Sequence, residues 1–127
     1  MSRYIALGLA MVAGAALGAA AVSGLHAQGK VPGAYAILDI SEIVDADLLK
    51  QIVTKAAPAV KSGGGQYLAR TDKITALTGN PPKRAVILAF DSTEQAKAWY
   101  SSPAQKEVNA MAEKAIKGRW YVVDSAM

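Results

Sequence analysis

A run of three glycines that leads directly into a strand pattern constrains the fold of this chain more than any other feature. Residues 63–70 read Gly-Gly-Gly-Gln-Tyr-Leu-Ala-Arg. The glycines predict a turn that needs either positive φ or a close approach of the backbone, followed by a strand over residues 66–70. The run precedes a strand rather than a helix, and no Lys-Ser or Lys-Thr follows it. A plain turn is therefore favoured over a phosphate-binding loop.

Two helices in tandem carry clear start signals. Ser92 and Ser102 are each followed three residues later by a glutamine, Gln95 and Gln105. This spacing is the capping box, in which the serine caps the helix and the glutamine side chain bonds back to the backbone. Pro103 suits the first position of the second of these helices.

The remaining segments complete an alternating order of strands and helices. Apolar runs predict further strands at residues 34–40, 84–90 and 119–124. Another helix is predicted from Asp45 or Asp47, with Pro58 expected to kink or end it. Gly118 is expected to stop the second tandem helix. The order strand, helix, strand, strand, helix, strand folds most simply as an α+β, ferredoxin-like βαββαβ antiparallel sheet with its helices on one face.

The first 27 residues predict an export signal rather than part of this domain. Arg3 precedes an uncharged apolar stretch over residues 4–22, and Ala27 is the predicted cleavage position. The alternative is a retained membrane anchor through residues 4–22, although its many glycines and alanines make a weak one. A short lead-in, 28–33, then precedes the predicted domain at 34–127. Both alternatives place this domain in the periplasm or the medium.

The chain lacks the residues that several catalytic and metal sites need. It has no cysteine, and its one histidine, His26, lies in the predicted export segment. A Ser-His-Asp or Cys-His arrangement is thereby excluded from the predicted domain. The usual ligands for zinc, copper, iron and haem are missing there too, so no cofactor and no metal is predicted.

The charge of the domain does not indicate a nucleic-acid partner. Thirteen of the 14 Lys and Arg residues and all 10 acidic residues follow Ala27, which leaves a small positive excess. The cations are interspersed with carboxylates rather than gathered on one segment.

The strands are too apolar for one face of the sheet to lie in water. Tyr35, Ile37 and Asp39 point to one face of the first strand, and the alternate residues point to the other. Because the helices cover only one face, a second copy of the sheet is expected to cover the other. We therefore predict a homodimer.

The candidate site residues are the polar and aromatic side chains of the strands and their following turns. Asp39, Arg70 and Asp91 are the candidate catalytic groups, because Asp39 and Arg70 are ions in apolar strands and imply a partner or a ligand. The alternative for these two charges is that they pair with each other or reach the sheet edge. The candidate ligand contacts are Tyr35, Tyr67, Ser92, Trp99 and Tyr100. Helix packing for the last two aromatics and capping for the serine are the alternatives.

Taken together, the glycine run at 63–70 and the Ser-Thr-Glu-Gln to Ser-Pro segment at 92–103 resemble the bacterial family called domain of unknown function 1330. The resemblance spans nearly all of residues 34–124. It implies a dimeric α+β barrel, in which two sheets pack face to face and leave a small cavity beside each sheet. The chain departs from the family at Gln66 and Gln105, and at Met111 and Ala112, where relatives commonly carry cationic or aromatic residues.

Three functions are compatible with these features, since the family has no agreed reaction. The first is an exported dimer that binds a small, partly apolar molecule. The second is a cofactor-independent enzyme similar to the small monooxygenases and isomerases of related barrels, with Asp39 or Asp91 as base and Arg70 holding an oxyanion. The third is a structural or interaction dimer whose cavity is filled core.

Overall fold

A computed structural model describes residues 31–126 of the chain. The predicted export segment at 1–27, including His26, lies outside these residues and stays a prediction. Across residues 31–126, no helix has the length and apolar character needed to cross a membrane.

The described residues form four strands and three helices. Along the chain they are β1 Ala34–Ile43, α1 Ala46–Ser62, β2 Gln66–Thr71, β3 Arg84–Phe90, α2 Thr93–Tyr100, α3 Pro103–Ala115 and β4 Ile116–Asp124. The strands make one antiparallel sheet in the order β2-β3-β1-β4. This order, with helices between β1 and β2 and between β3 and β4, confirms the ferredoxin-like α+β fold.

The predicted caps are present at all three helices. The side chains of Asp45, Ser92 and Ser102 accept hydrogen bonds from backbone N–H groups three residues on, at 3.0 to 3.3 Å. Each of these bonds satisfies one of the N–H groups that a helix start leaves without an intrahelical partner.

Two helices end at positions other than those considered above: Pro58 does not end its helix, and the predicted stop at Gly118 is wrong. Helix α1 does not end at Pro58 but continues to Ser62. A proline this close to the end removes one backbone hydrogen bond while the packing of the final turn, through Ala59 and Val60, is kept. Gly118 does not stop α3, which ends at Ala115 and passes directly into β4. Gly118 instead lies within β4, where its missing side chain admits the carbonyl of Asp39 on β1.

The helices cover one face of the sheet, as predicted. Ala36, Leu38 and Ile40 of β1 point toward them and are buried. The core on this face has two clusters. The larger contains Ala36, Val60, Leu88, Phe90, Ala96 and Trp99. The smaller contains Ile52, Val108 and Ala115 and joins α1 to α3.

The glycine run is the place where the chain after α1 passes closest to α2 and β3. Gly64 has a φ of +83°, and a Cβ at Gly63 would lie 2.8 Å from side-chain atoms of Trp99. A Cβ at Gly65 would lie 2.7 Å from the ring of Phe90 and 3.0 Å from Val60. The run is therefore a turn that needs both positive φ and close approach.

A Gly65→Ala substitution is expected to lower the free energy of unfolding by about 1–3 kcal/mol, because the added methyl group must displace the Phe90 ring. Urea unfolding measures this loss. Gly79→Ala is the comparison, because a Cβ there meets nothing within 4 Å and its loss, about 1–2 kcal/mol, reports the positive φ of 69° alone. Equal stability of the Gly65→Ala protein and the wild type would contradict the close approach.

The opposite face of the sheet, called here the open face, presents three rows of side chains across the four strands. Register places Gln66, Ala89, Tyr35 and Val123 in the first row and Ala69, Ile87, Ile37 and Tyr121 in the second. The third row is Thr71, Ala85, Asp39 and Arg119. Two of the three rows are therefore largely apolar, and no described helix covers them.

Candidate functional site

A cavity of about 260 Å³ lies between the helix-covered face of the sheet and helices α1 and α3. We call it the helix-face cavity. Its walls are mostly aliphatic, with Leu38, Ile40 and Val86 from the sheet and Leu49, Ile52 and Val108 from the helices. The cavity adjoins both core clusters, because Trp99 belongs to the first cluster and Val108 to the second. An apolar enclosure with a few polar groups is the usual form of a small-molecule site.

Three buried polar atoms around this cavity have no hydrogen-bond partner among the described residues. They are the Nε of Arg84, the Nε1 of Trp99 and the Oε1 of Gln105. Most buried polar groups in folded proteins are hydrogen-bonded, and each unpaired one costs about 1–3 kcal/mol. They are the three unpaired buried side-chain atoms of residues 31–126, and all belong to residues that line the cavity.

Gln105 differs from its predicted role. The side chain of Ser102 does cap α3, but the Gln105 side chain does not bond back to complete the capping box. It is 2% exposed, and its Nε2 donates to the Oδ1 of Asn109 at 2.9 Å. Gln105 lies on the same side of α3 as Val108 and Ala112, which also line the cavity, so its amide belongs to the cavity wall. The capping pattern at Ser102 concealed this role of Gln105 in the sequence. The one sequence signal for it is the helical spacing that puts Gln105 on the same side of the helix as the apolar Val108 and Ala112.

Trp99 sits in a group of four aromatic rings. Its ring centroid lies 5.3 Å from that of Phe90, 5.9 Å from that of Tyr100 and 5.1 Å from that of Trp120. These edge and tilted contacts hold the indole in one orientation. The position of the Trp99 Nε1–H donor is thus set by ring packing, because this group has no hydrogen-bond partner among the described residues.

Two arginines line the cavity on neighbouring strands. Arg70 of β2 pairs in register with Val86, two residues along β3 from Arg84. The guanidinium of Arg70 is exposed and lies over the ring of Tyr67, 4.9 Å from its centroid. Arg84 is half-buried, and the only signal of its role in the sequence is a cation at the start of a predicted strand.

The structure places the predicted site residues in three different locations. Arg70, Tyr67 and Trp99 line the helix-face cavity. Asp39 and Tyr35 lie on the open face, on the other side of the sheet from Arg70.

The other three predicted site residues lie outside the wall of this cavity. Ser92 caps α2, and the side chain of Gln95 accepts a hydrogen bond from the backbone N–H of Asp91 at 2.8 Å. Tyr100 is 42% exposed and packs on Trp99 and Trp120. Asp91 and Ser92 are thus held in the turn between β3 and α2.

Asp39 has partners on the open face. The hydroxyl of Tyr121 donates to its Oδ2 at 3.2 Å, and the Nε of Arg119 lies 3.7 Å from the same oxygen. Burial and the Asp39 carboxylate raise the pKa of Tyr121, while Arg119 opposes that shift. Tyr121 therefore keeps its proton at neutral pH and remains a donor to Asp39. Among the described residues, no three His, Asp or Glu side chains come together as a metal site.

Solved structures with the same fold come from several bacteria. A Rhodopseudomonas palustris protein of unknown function is 13% identical, with a TM-score of 0.61 over 76% of this chain and 85% of that chain. A dimeric ferredoxin-like protein of unknown function from Thermobifida fusca is 18% identical, with a TM-score of 0.55 over 74% and 92%. SnoaB, a cofactor-independent oxygenase from Streptomyces nogalater, is 6% identical, with a TM-score of 0.54 over 76% and 96%. At these identities the likeness concerns the fold.

No curated protein matches the chain. The family model described as Domain of unknown function (DUF1330) matches residues 33–126, which include every strand and helix described above. The tandem capped helices and the glycine run both fall within this range. The chain belongs to the DUF1330 family.

Proposed function

We propose that this protein binds a small, partly apolar molecule in the helix-face cavity. The observation that carries the proposal is the set of three unpaired polar atoms, on Arg84, Trp99 and Gln105, around an otherwise aliphatic cavity. A cavity that served only as core would be expected to be filled and to leave no polar atom unpaired. A ligand with its own donor and acceptor groups would satisfy these atoms.

The size of the cavity agrees with a small ligand. An apolar cavity of about 150 Å³ is enough to hold benzene. The helix-face cavity, at about 260 Å³, has room for a single substituted ring or a branched molecule of similar size. The volume also counts against the structural alternative, which expects a filled core.

Filling the cavity should abolish binding without harming the fold. Ala112→Leu replaces a methyl group of the cavity wall with an isobutyl group, and we expect the ligand-induced rise in Tm across a metabolite library to disappear. Ala110→Leu makes the same chemical change at an exposed position of α3 and should keep that rise. The absence of any ligand-induced shift in both the wild type and Ala110→Leu would contradict the proposal.

The enzymatic alternative has less support. SnoaB shows that this fold can host oxygenase chemistry without a cofactor, but only through fold likeness. A base would have to reach the bound molecule, and neither Asp39 nor Asp91 lines the helix-face cavity. Arg70 does line it and could hold an oxyanion.

We also infer that the protein acts as a homodimer in which the open faces of two sheets pack together. The apolar first and second rows of the open face support this, since large apolar patches seldom face water. The Thermobifida fusca protein of the same fold is dimeric. A face-to-face pairing would leave the helix-face cavity of each chain on the outer side of its sheet.

A further inference from the structure

We propose that the ligand of the helix-face cavity is a small organic anion: an apolar body, such as a single ring, that carries a carboxylate and a hydroxyl group. This inference rests on the proposed binding function and specifies the chemistry of the ligand. The observation behind it is the charge of the wall, which contains Arg70 and Arg84 and no Asp or Glu.

The two arginines lie on the same face of neighbouring strands and line the same cavity. Because Arg70 pairs with Val86, Arg84 is its diagonal neighbour across the strand pair. Diagonal neighbours on one face of an antiparallel pair lie roughly 7–8 Å apart at the backbone, within reach of each other's side chains. Both side chains therefore line the same cavity, with the guanidinium of Arg70 exposed over the Tyr67 ring and the Nε of Arg84 buried.

Neither arginine forms an ion pair with any of the residues that the structure describes. The ion pairs of residues 31–126 involve Lys55, Lys97, Lys117 and Arg119, all with other partners. Arg70 is held by the Tyr67 ring, a contact that orients a guanidinium but leaves its positive charge in place. The buried Nε of Arg84 has no acceptor at all among these residues. Two neighbouring cations with no carboxylate form a site that favours an anion.

A carboxylate suits this pair better than a single-atom anion. Guanidinium groups bind carboxylates through two parallel N–H···O bonds, and the planar fork matches the two oxygens. The remaining walls are aliphatic, so the rest of the ligand must be apolar to gain from burial. Inorganic phosphate would neutralise the positive charge of the arginines but would leave the space between the aliphatic walls empty.

The hydroxyl group follows from the two other unpaired atoms. Trp99 Nε1 is a donor that needs an acceptor, and Gln105 Oε1 is an acceptor that needs a donor. A hydroxyl can do both, whereas a plain hydrocarbon can do neither. Both side chains are 2% exposed, so water has little access to them from outside.

The test compares three probes on the full chain by isothermal titration calorimetry: 4-hydroxybenzoate, its methyl ester, and inorganic phosphate. The ester keeps the ring and the hydroxyl but has no charge. We expect 4-hydroxybenzoate to bind at least about tenfold more tightly than the ester or phosphate, as charged hydrogen bonds would give.

Three variants test which arginine causes this preference. Arg84→Met should remove the preference for the acid, and Arg84→Lys should restore part of it. Arg119→Met, which removes a cation from the open face, should leave it unchanged.

The outcomes separate this inference from the function on which it rests. Binding of the ester as tight as that of the acid would overturn the anionic ligand and keep the binding function. Binding of phosphate as tight as that of 4-hydroxybenzoate would overturn the apolar body. If none of the three probes binds and the metabolite library produces no Tm shift, both the inference and the proposed function are wrong. Unchanged Tm values of the Arg84 variants establish that their folds are intact.

Discussion

The Ile37→Glu protein is expected to elute as a single chain, whereas the wild-type protein should have twice the mass of one chain. Ile37 occupies the middle of the second row of the open face, between Ile87 and Tyr121. In a face-to-face dimer a glutamate at this position would be buried against its own copy. Burying an unpaired carboxylate is costly enough to weaken the dimer by more than about a hundredfold.

Light scattering coupled to size exclusion measures the mass directly. Leu77→Glu is the matched control, because this leucine is 93% exposed in the loop before β3 and gains the same charge without touching the sheet. In the separated chain the glutamate at position 37 would face water, so the fold should survive. Val123→Glu, at a 40% exposed position of the edge strand β4, is a second variant should the first fail to fold.

A dimer that persists in both Ile37→Glu and Val123→Glu would show that the open face is not the interface. A monomeric wild-type protein would contradict the homodimer altogether. Either result would leave the helix-face cavity untouched, since that cavity is built within one chain.

The second large effect concerns the core. Phe90→Ala is expected to lower the free energy of unfolding by about 3–5 kcal/mol. Phe90 is 2% exposed at the end of β3, where its ring contacts Trp99 and fills the space beneath Gly65. Removing the ring leaves a void that the glycine turn cannot fill, because the turn has no side chains to move into it.

Urea unfolding at one fixed protein concentration measures this loss, since the stability of a dimer depends on concentration. Leu77→Ala serves as the control for removing an apolar side chain that is not buried, and it should change the stability by less than about 0.5 kcal/mol. A loss below about 1 kcal/mol for Phe90→Ala would mean that the larger core cluster, to which Phe90 belongs, does not depend on this ring.

The element order and the helix starts could be predicted from the sequence because they depend on local chemistry. Asp45, Ser92 and Ser102 cap their helices through bonds that reach only three residues along the chain. The strand at Arg84–Phe90 lies between polar loops and was predicted with the bounds that the structure has. The alternation of Tyr35, Ile37 and Asp39 on one face of β1 also follows from the two-residue period of a strand.

The candidate site depends on contacts that no local pattern encodes. In β2 a bulge at Leu68 breaks the two-residue period, so that Tyr67 and Arg70 share the face that lines the cavity. Strict alternation would have placed these two residues on opposite faces. The bulge therefore places Arg70 on the same face of the sheet as Arg84 and on the opposite face from Asp39.

Gln105 shows the same division between local pattern and tertiary structure. The sequence by itself determined that a helix begins at Ser102, because the cap and Pro103 are local signals. Only the packing of α3 against the sheet and α1 decided that Gln105 turns inward, away from the helix start. The same packing brings its amide to the cavity that Trp99 and Arg84 line from other elements. A polar group becomes a site residue when distant segments enclose it, and that enclosure is a property of the tertiary structure.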